Sequence, residues 1–244
     1  MSMYTIKAMI PSAVTLSNTA TGFIAIILCF VALKTGNKKI FDYAFYAIIL
    51  CIFLDIADGF LARKLNAKSK IGAKLDSKCD AVSFGVAPAV FLAFAGVTLF
   101  DGYIMVLSII IALGYLCSAL FRFAQFDITK AEDDERGHLY FSGFPSPGAA
   151  LICSAASLAV VNLDMNIFCC LVIYLANAYL MVSKIKYPDL PKHYFYRKRS
   201  FLELVPFVFL LVFMPIAYAT ILFIAIYESA PIVRKIFYGA KREL

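Results

Sequence analysis

Residues 55–80 read DIADGFLARKLNAKSKIGAKLDSKCD, and their four aspartates, Asp55, Asp58, Asp76 and Asp80, are spaced for helices. At about 100° per residue, an i, i+3 pair such as Asp55 and Asp58 lies about 60° apart on a helix surface. An i, i+4 pair such as Asp76 and Asp80 lies about 40° apart. The first pair sits near the end of one apolar run and the second opens another. A helix, a short basic connection and a second helix therefore bring four carboxylates to one depth. Charge on the apolar face of a helix is costly and marks function. Four carboxylates at close quarters repel, and a divalent cation relieves the repulsion, since hard oxygen ligands suit Mg²⁺, Mn²⁺ or Ca²⁺. Gly59 clears a side chain beside Asp58, Ala62 is small on the same side, and Ser69 offers a hydroxyl. Arg63 presents a fork suited to phosphate oxygens. Cation, arginine and cleared surface together describe a pyrophosphate site. Interhelical salt bridges to the nearby lysines would leave Gly59 and Ala62 unexplained.

The rest of the chain supplies the setting. Of 244 residues, 62% are apolar and 16% charged, whereas a soluble domain runs nearer half and a quarter. That excess excludes a soluble globule, and it excludes a disordered chain, which needs low hydrophobicity. At about 20 residues per crossing it can line six to eight transmembrane helices. Apolar runs fall near 11–33, 41–62, 76–98, 102–121, 147–163 and 166–183, and a last run, 201–229, is interrupted by Pro206 and Met214-Pro215. The expected fold is an all-α polytopic integral membrane protein, a six-helix core plus a C-terminal hairpin. Residues 1–185 form the membrane domain, and 186–244 add a basic cytoplasmic loop and a transmembrane extension. With the amino terminus and the loops near 63–78, 122–145 and 184–199 in the cytoplasm, only Lys34, Lys38 and Lys39 face the other way. Arg234, Lys235, Lys241 and Arg242 join the majority when the last run crosses twice. Charge bias thus favours eight helices with both termini cytoplasmic. Seven is the alternative, because the final two helices would have only about 14 residues each.

The net charge of +7 fits cytoplasmic loops and anionic headgroups, not nucleic acid. Cys29, Cys51, Cys79, Cys117, Cys153, Cys169 and Cys170 lie in or beside apolar runs without ligand spacing and read as small buried hydrophobes. The start, MSMYTIKAMIPSA, lacks a signal-peptide profile, so the first run is expected to be a retained helix. Glu132-Asp133-Asp134-Glu135 reads as a solvated loop face.

The order D-x-x-D-G-x-x-A-R-x8-G-x3-D-x3-D is met by Asp55, Asp58, Gly59, Ala62, Arg63, Gly72, Asp76 and Asp80 without a mismatch. It resembles the signature of the CDP-alcohol phosphatidyltransferases. The resemblance implies a six-helix core in which Asp55, Asp58 and Asp76 chiefly hold metal, while Asp80 adds a ligand and serves as general base. It implies a CDP-lipid lying against Gly59, Ala62, Arg63 and Gly72, with help from Ser69 and from Asn18 and Thr21 of the first helix. RFAQFD…FSGFPSPGAA, with Arg122, Phe123, Gly143, Pro145, Ser146 and Pro147, resembles the branch of that family that transfers to serine. So does Pro11-x3-Thr15-x2-Asn18-x3-Gly22, although Ser12 stands where that branch often has Asn. Pro-Ser-Pro also reads simply as a helix start.

The implied reaction joins a CDP-linked lipid to L-serine and releases CMP. Serine's carboxylate calls for a cation, and Arg122 and Lys184 lie at cytoplasmic helix ends; either could instead hold a lipid phosphate. The expected acceptor pocket is Arg122, Gly143, Pro145, Ser146 and Lys184. The expected cofactor is Mg²⁺ or Mn²⁺, with Ca²⁺ a third choice. The expected partners are the CDP-lipid, serine, the bilayer and a second copy of the chain, with no nucleic acid. Glycerol phosphate and inositol remain alternative acceptors. A cation-coupled transporter is the rival of another class, and it predicts charges near the midplane and broken paired helices.

Overall fold

Six apolar stretches become six helical rods in a computed structural model that describes residues 3–65, 70–132, 140–183 and 185–188. The rods are α1 (Met3–Thr35), α2 (Lys38–Lys64), a third built from α3 (Lys70–Asp80), a π-helical stretch (Ala81–Val86) and α4 (Ala87–Leu99), then α5 (Tyr103–Glu132), α6 (Ser146–Leu163) and α7 (Ile167–Val182). Five are long and apolar enough to cross a membrane, and α7 is a shorter apolar helix. The chain is thus an all-α polytopic membrane protein. The run 201–229, which decides between seven and eight helices, lies outside the described residues.

Local chemistry sets the corners. Between α1 and α2 the chain turns at Gly36, with φ +65°, and Asn37 caps α2 by accepting from the Lys39 amide. Such caps satisfy amides that a helix start leaves without partners. The turn is short, so α1 and α2 are antiparallel and form the most extensive helix pair among the described residues. At the centre stands α6, whose Ala149, Ala150, Cys153, Ala155, Ala156, Ser157 and Ala159 are fully buried. Lipid provides no hydrophobic drive between helices, so such small side chains matter by letting backbones approach. Around it, Phe23 on α1, Phe53 on α2, Ile110 on α5 and Val172 on α7 are exposed and turn outward to the bilayer.

Two features differ from the sequence expectation. Asp76 and Asp80 do not open their helix, because α3 begins at Lys70; its first turn is polar and does not register as part of an apolar run. Beyond α5 and α7, β1 (Tyr140–Ser142) pairs antiparallel with β2 (Lys186–Pro188), Phe141 opposite Tyr187. This short ribbon is the one regular element other than helix among the described residues.

The π-helical stretch is held from outside. Its end is marked by the Ala87 amide bonding to the Val82 carbonyl, one residue further back than in an α-helix. Next comes Pro88, which has no N–H and so leaves the Phe84 carbonyl without its usual helical donor. The Tyr115 hydroxyl of α5 donates to that carbonyl at 3.0 Å. The Tyr174 hydroxyl of α7 donates to the Pro88 carbonyl at 2.7 Å and lies 3.0 Å from Ser157 Oγ of α6. Inside a membrane no water does this work, so neighbouring side chains must.

Candidate active site

The site begins on α1, where Thr15 and Asn18 share a face at i, i+3 spacing. Both are buried. Thr15 Oγ1, 3.1 Å from the Pro11 carbonyl of its own helix, donates to Asp58 Oδ2 at 2.8 Å. Asn18 Nδ2 donates to Asp80 Oδ1 at 3.2 Å. The Asn18 carbonyl accepts from Ser83 Oγ at 3.2 Å and from Cys51 Sγ at 3.5 Å, which ties α1 to the π-helical stretch and to α2. Gly22 makes the approach possible, since a Cβ there would fall 2.9 Å from Ser83 Cα.

Of the four motif aspartates, three converge. Asp55, Asp76 and Asp80 each place a carboxylate oxygen within 4.8 Å of the others. Asp58, one turn beyond Asp55, is buried on the Thr15 side, within Coulombic range of Asp76 and Asp80. The donor set fits a hard divalent cation. Two oxygens on one ion stand at most about 4 Å apart for Mg²⁺ and about 5 Å for Ca²⁺, twice the usual metal–oxygen distances. The triad is therefore close enough for one hard cation to be shared after a small inward turn of the carboxylates, without selecting between the ions. The Asn18 Oδ1 atom is also buried without a hydrogen-bond partner, a further neutral oxygen beside Asp80.

The other sequence candidates fall in two groups. Gly59 and Ala62 are half-buried on α2, and Arg63 is exposed in its last turn. Among the described residues, a Cβ at position 59 would meet only the Arg63 guanidinium, at 3.6 Å. No packing partner among them demands glycine there, and the cleared backbone lies next to Asp58 in the chain. Gly72 sits in the first turn of α3. Thr21 donates to the Ser17 carbonyl of its own helix at 2.8 Å, leaving its oxygen lone pairs to accept. Ser69 and Lys184 lie outside the described residues.

Arg122, Gly143, Pro145 and Ser146 form the second group. Arg122 Nε donates to Ser146 Oγ at 2.9 Å and Nη1 to the Met181 carbonyl at 3.3 Å. Gly143 adopts φ +80°, and its amide bonds to the Ile185 carbonyl at 2.8 Å. A Cβ there would collide with the Met181 carbonyl and Arg122. Pro145 is the N-cap of α6 and Ser146 its first residue. The two groups share one end of the bundle. Gly85 lies against Leu116 and Ala119 of α5, which runs back antiparallel after a short turn at Gly102. Stepping toward the aspartates from Gly85 leads to Asp80, and from Ala119 to Arg122, so both stand within about one turn of the same level.

Sequence reading missed Ser83 and Cys51, and it gave Thr15 no role. The signal was spacing, since Ser83 follows Asp80 by three residues and Cys51 precedes Asp55 by four, each on its aspartate's face.

A sequence model of the CDP-alcohol phosphatidyltransferase family matches residues 8–182, a span that takes in nearly all of the six rods. The chain is similar to the CDP-diacylglycerol–serine O-phosphatidyltransferase of Bacillus subtilis, 33% identical over 188 residues, which are 75% of this chain and 92% of the relative. A protein of the same name from Methanocaldococcus jannaschii is 34% identical over 195 residues, 79% of this chain and 81% of the relative. One from Helicobacter pylori is 30% identical over 229 residues, 89% and 90% of the two chains.

Proposed function

The chain belongs to the CDP-alcohol phosphatidyltransferase family, and from that premise we propose that it transfers the phosphatidyl group of a CDP-linked diacyl or diether lipid to L-serine, releasing CMP. Membership makes it a membrane-embedded, divalent-cation-dependent enzyme of phospholipid synthesis. Three carboxylate oxygens within 4.8 Å of one another, beside a buried amide, carry the site assignment. Serine is favoured over glycerol phosphate and inositol by the relatives, whose names give serine as their acceptor. The half-buried Arg122, bonded to the buried Ser146 at the aspartates' level, supports the same choice.

Asp55, Asp76 and Asp80 would hold Mg²⁺ or Mn²⁺, with Asp58 joining through the oxygen that Thr15 does not occupy. When bound there, the cation neutralises the diphosphate and stabilises the departing CMP. Arg63, lying over Gly59, grips phosphate oxygens from the cleared side. Asp80 accepts the proton of the serine hydroxyl as that oxygen attacks the lipid-side phosphorus. The new O–P bond forms while the bond from that phosphorus to the bridging oxygen of CMP breaks. Asn18 fixes the direction of Asp80 through its amide. Arg122 receives the serine carboxylate, with Gly143 and Ser146 keeping its guanidinium in place. The site and both termini face the cytoplasm, the side given by the basic loops.

A transporter is disfavoured by the depth of the charges. Asp55 and Asp58 lie about 25 and 30 Å from the start of α2, which is about 40 Å long, so both fall in its Lys64 half, displaced from the middle toward the end that carries Arg63 and Lys64. The test is CMP release by the purified chain in nanodiscs containing one CDP-lipid, with L-serine, glycerol 3-phosphate and inositol offered separately. Release with serine alone is expected. Release with another alcohol alone would change the acceptor, and cation-driven uptake without CMP release would reinstate the transporter.

A further inference from the structure

We propose that Tyr115 is a positioning residue for the cation-binding carboxylates, its hydroxyl holding the π-helical stretch that sets the direction of Asp76 and Asp80. The inference rests on the assignment of those carboxylates as the cation site. Tyr115 is fully buried on α5, and nothing in the chemistry of transfer calls on a phenol there. Its bond to the Phe84 carbonyl answers a need created by Pro88, whose ring removes the amide that would otherwise take that carbonyl. Without the phenol, the Phe84 carbonyl would lose its partner on α5 in a water-free interior.

The geometry explains why the loss would reach the aspartates. A π-helical turn carries one residue more than an α-helical turn. If Ala81–Val86 relaxed to α-helix, α3 would rotate relative to α4 by about 100°, the step of one residue. Asp76 and Asp80 would then turn away from Asp55, which is fixed on a different helix. Four rods guard against that rotation. Ser83 is fastened to Asn18 of α1, Phe84 to Tyr115 of α5, and Pro88 to Tyr174 of α7, itself beside Ser157 of α6. Tyr115 and Tyr174 also pack edge to face, with ring centroids 5.3 Å apart, so the two hydroxyls are set as a pair.

The experiment measures Mn²⁺ binding to the purified full chain by the electron paramagnetic resonance of free Mn²⁺, alongside CMP release. Tyr115→Phe removes one oxygen and keeps the ring. Its apparent Mn²⁺ dissociation constant should rise about tenfold, the lower end of what outer partners of metal ligands contribute. Added Mn²⁺ should restore much of the lost turnover, and KM for serine should move less than twofold. Ser108→Ala, also buried on α5 but bonded only to its own helix at Ile104, should bind Mn²⁺ as the natural chain does. If Tyr115→Phe does not fold, Tyr174→Phe decides: a raised constant supports the proposal and an unchanged one overturns it. Unchanged Mn²⁺ binding in a folded Tyr115→Phe also overturns it, even while Asp76→Asn abolishes binding and leaves the cation site secure. Failure of the natural chain to bind Mn²⁺ at all would remove both.

Discussion

Replacing Asn18 by Ala separates two roles that its position allows, orienting Asp80 or touching the CDP-lipid. The side chain gives one amide hydrogen bond to Asp80, and a bond to a charged group is worth about 1.5–3 kcal/mol net. At 3.2 Å it is at the long end for N–H···O, so the lower figure applies, and kcat should fall about 10- to 30-fold. The backbone carbonyl that receives Ser83 and Cys51 is untouched, and alanine favours helix, so α1 should stay docked and the thermal midpoint should shift little. KM for the CDP-lipid should change less than about threefold. Loss of the base itself in Asp80→Asn should cost about 10²–10⁴-fold. Because Asn18 acts through Asp80, the double variant should be no slower than Asp80→Asn alone. CMP release at saturating substrates gives all three numbers. Losses that multiply in the double variant, or a raised lipid KM with unchanged kcat, would refute the orienting role and move Asn18 to the lipid.

Asp76→Asn should abolish turnover and Mn²⁺ binding together, and EDTA should reproduce the first effect in the natural chain; full activity after metal removal would sink the carboxylate assignment. Arg122→Gln should raise KM for serine about 10- to 150-fold, the value of a buried charge-assisted bond, while KM for the CDP-lipid stays within a few-fold; the reverse pattern would assign Arg122 to a lipid phosphate. Gly143→Ala meets both a left-handed φ and two occupied positions, so it should lower the thermal midpoint and weaken serine saturation through the displaced Arg122. A melt and a serine titration check it, and unchanged values in both would show that the turn adjusts freely.

What the sequence disclosed and what it withheld follow from the range of its signals. The six rods were legible because each is an apolar run, and the aspartate motif because its spacing lies within two neighbouring helices. The links Thr15–Asp58 and Asn18–Asp80 span 43 and 62 residues, and hydropathy carries nothing about how a helix is turned toward its neighbour. The π-helical stretch left a trace only in Pro88, which an apolar run conceals. The ribbon between 140–142 and 186–188 pairs two three-residue segments whose partnership depends on α6 and α7 lying between them. Lys184 and Ser69, both read as site residues, fall outside the described residues.

The length of α2 ties catalysis to the medium around it. At about 1.5 Å per residue its 27 residues extend about 40 Å, more than the roughly 30 Å of hydrocarbon in a bilayer. Asp58 stands about 30 Å from the far end, which is the level where hydrocarbon gives way to headgroups. A thinner membrane would lift the aspartates into water and draw the lipid's diphosphate below them, whereas a thicker one would sink them among acyl chains. Tilt absorbs part of such a mismatch, and the rest falls on the distance between carboxylate and diphosphate. Because its lipid product belongs to the same bilayer, the enzyme helps to set the thickness to which its own site is matched.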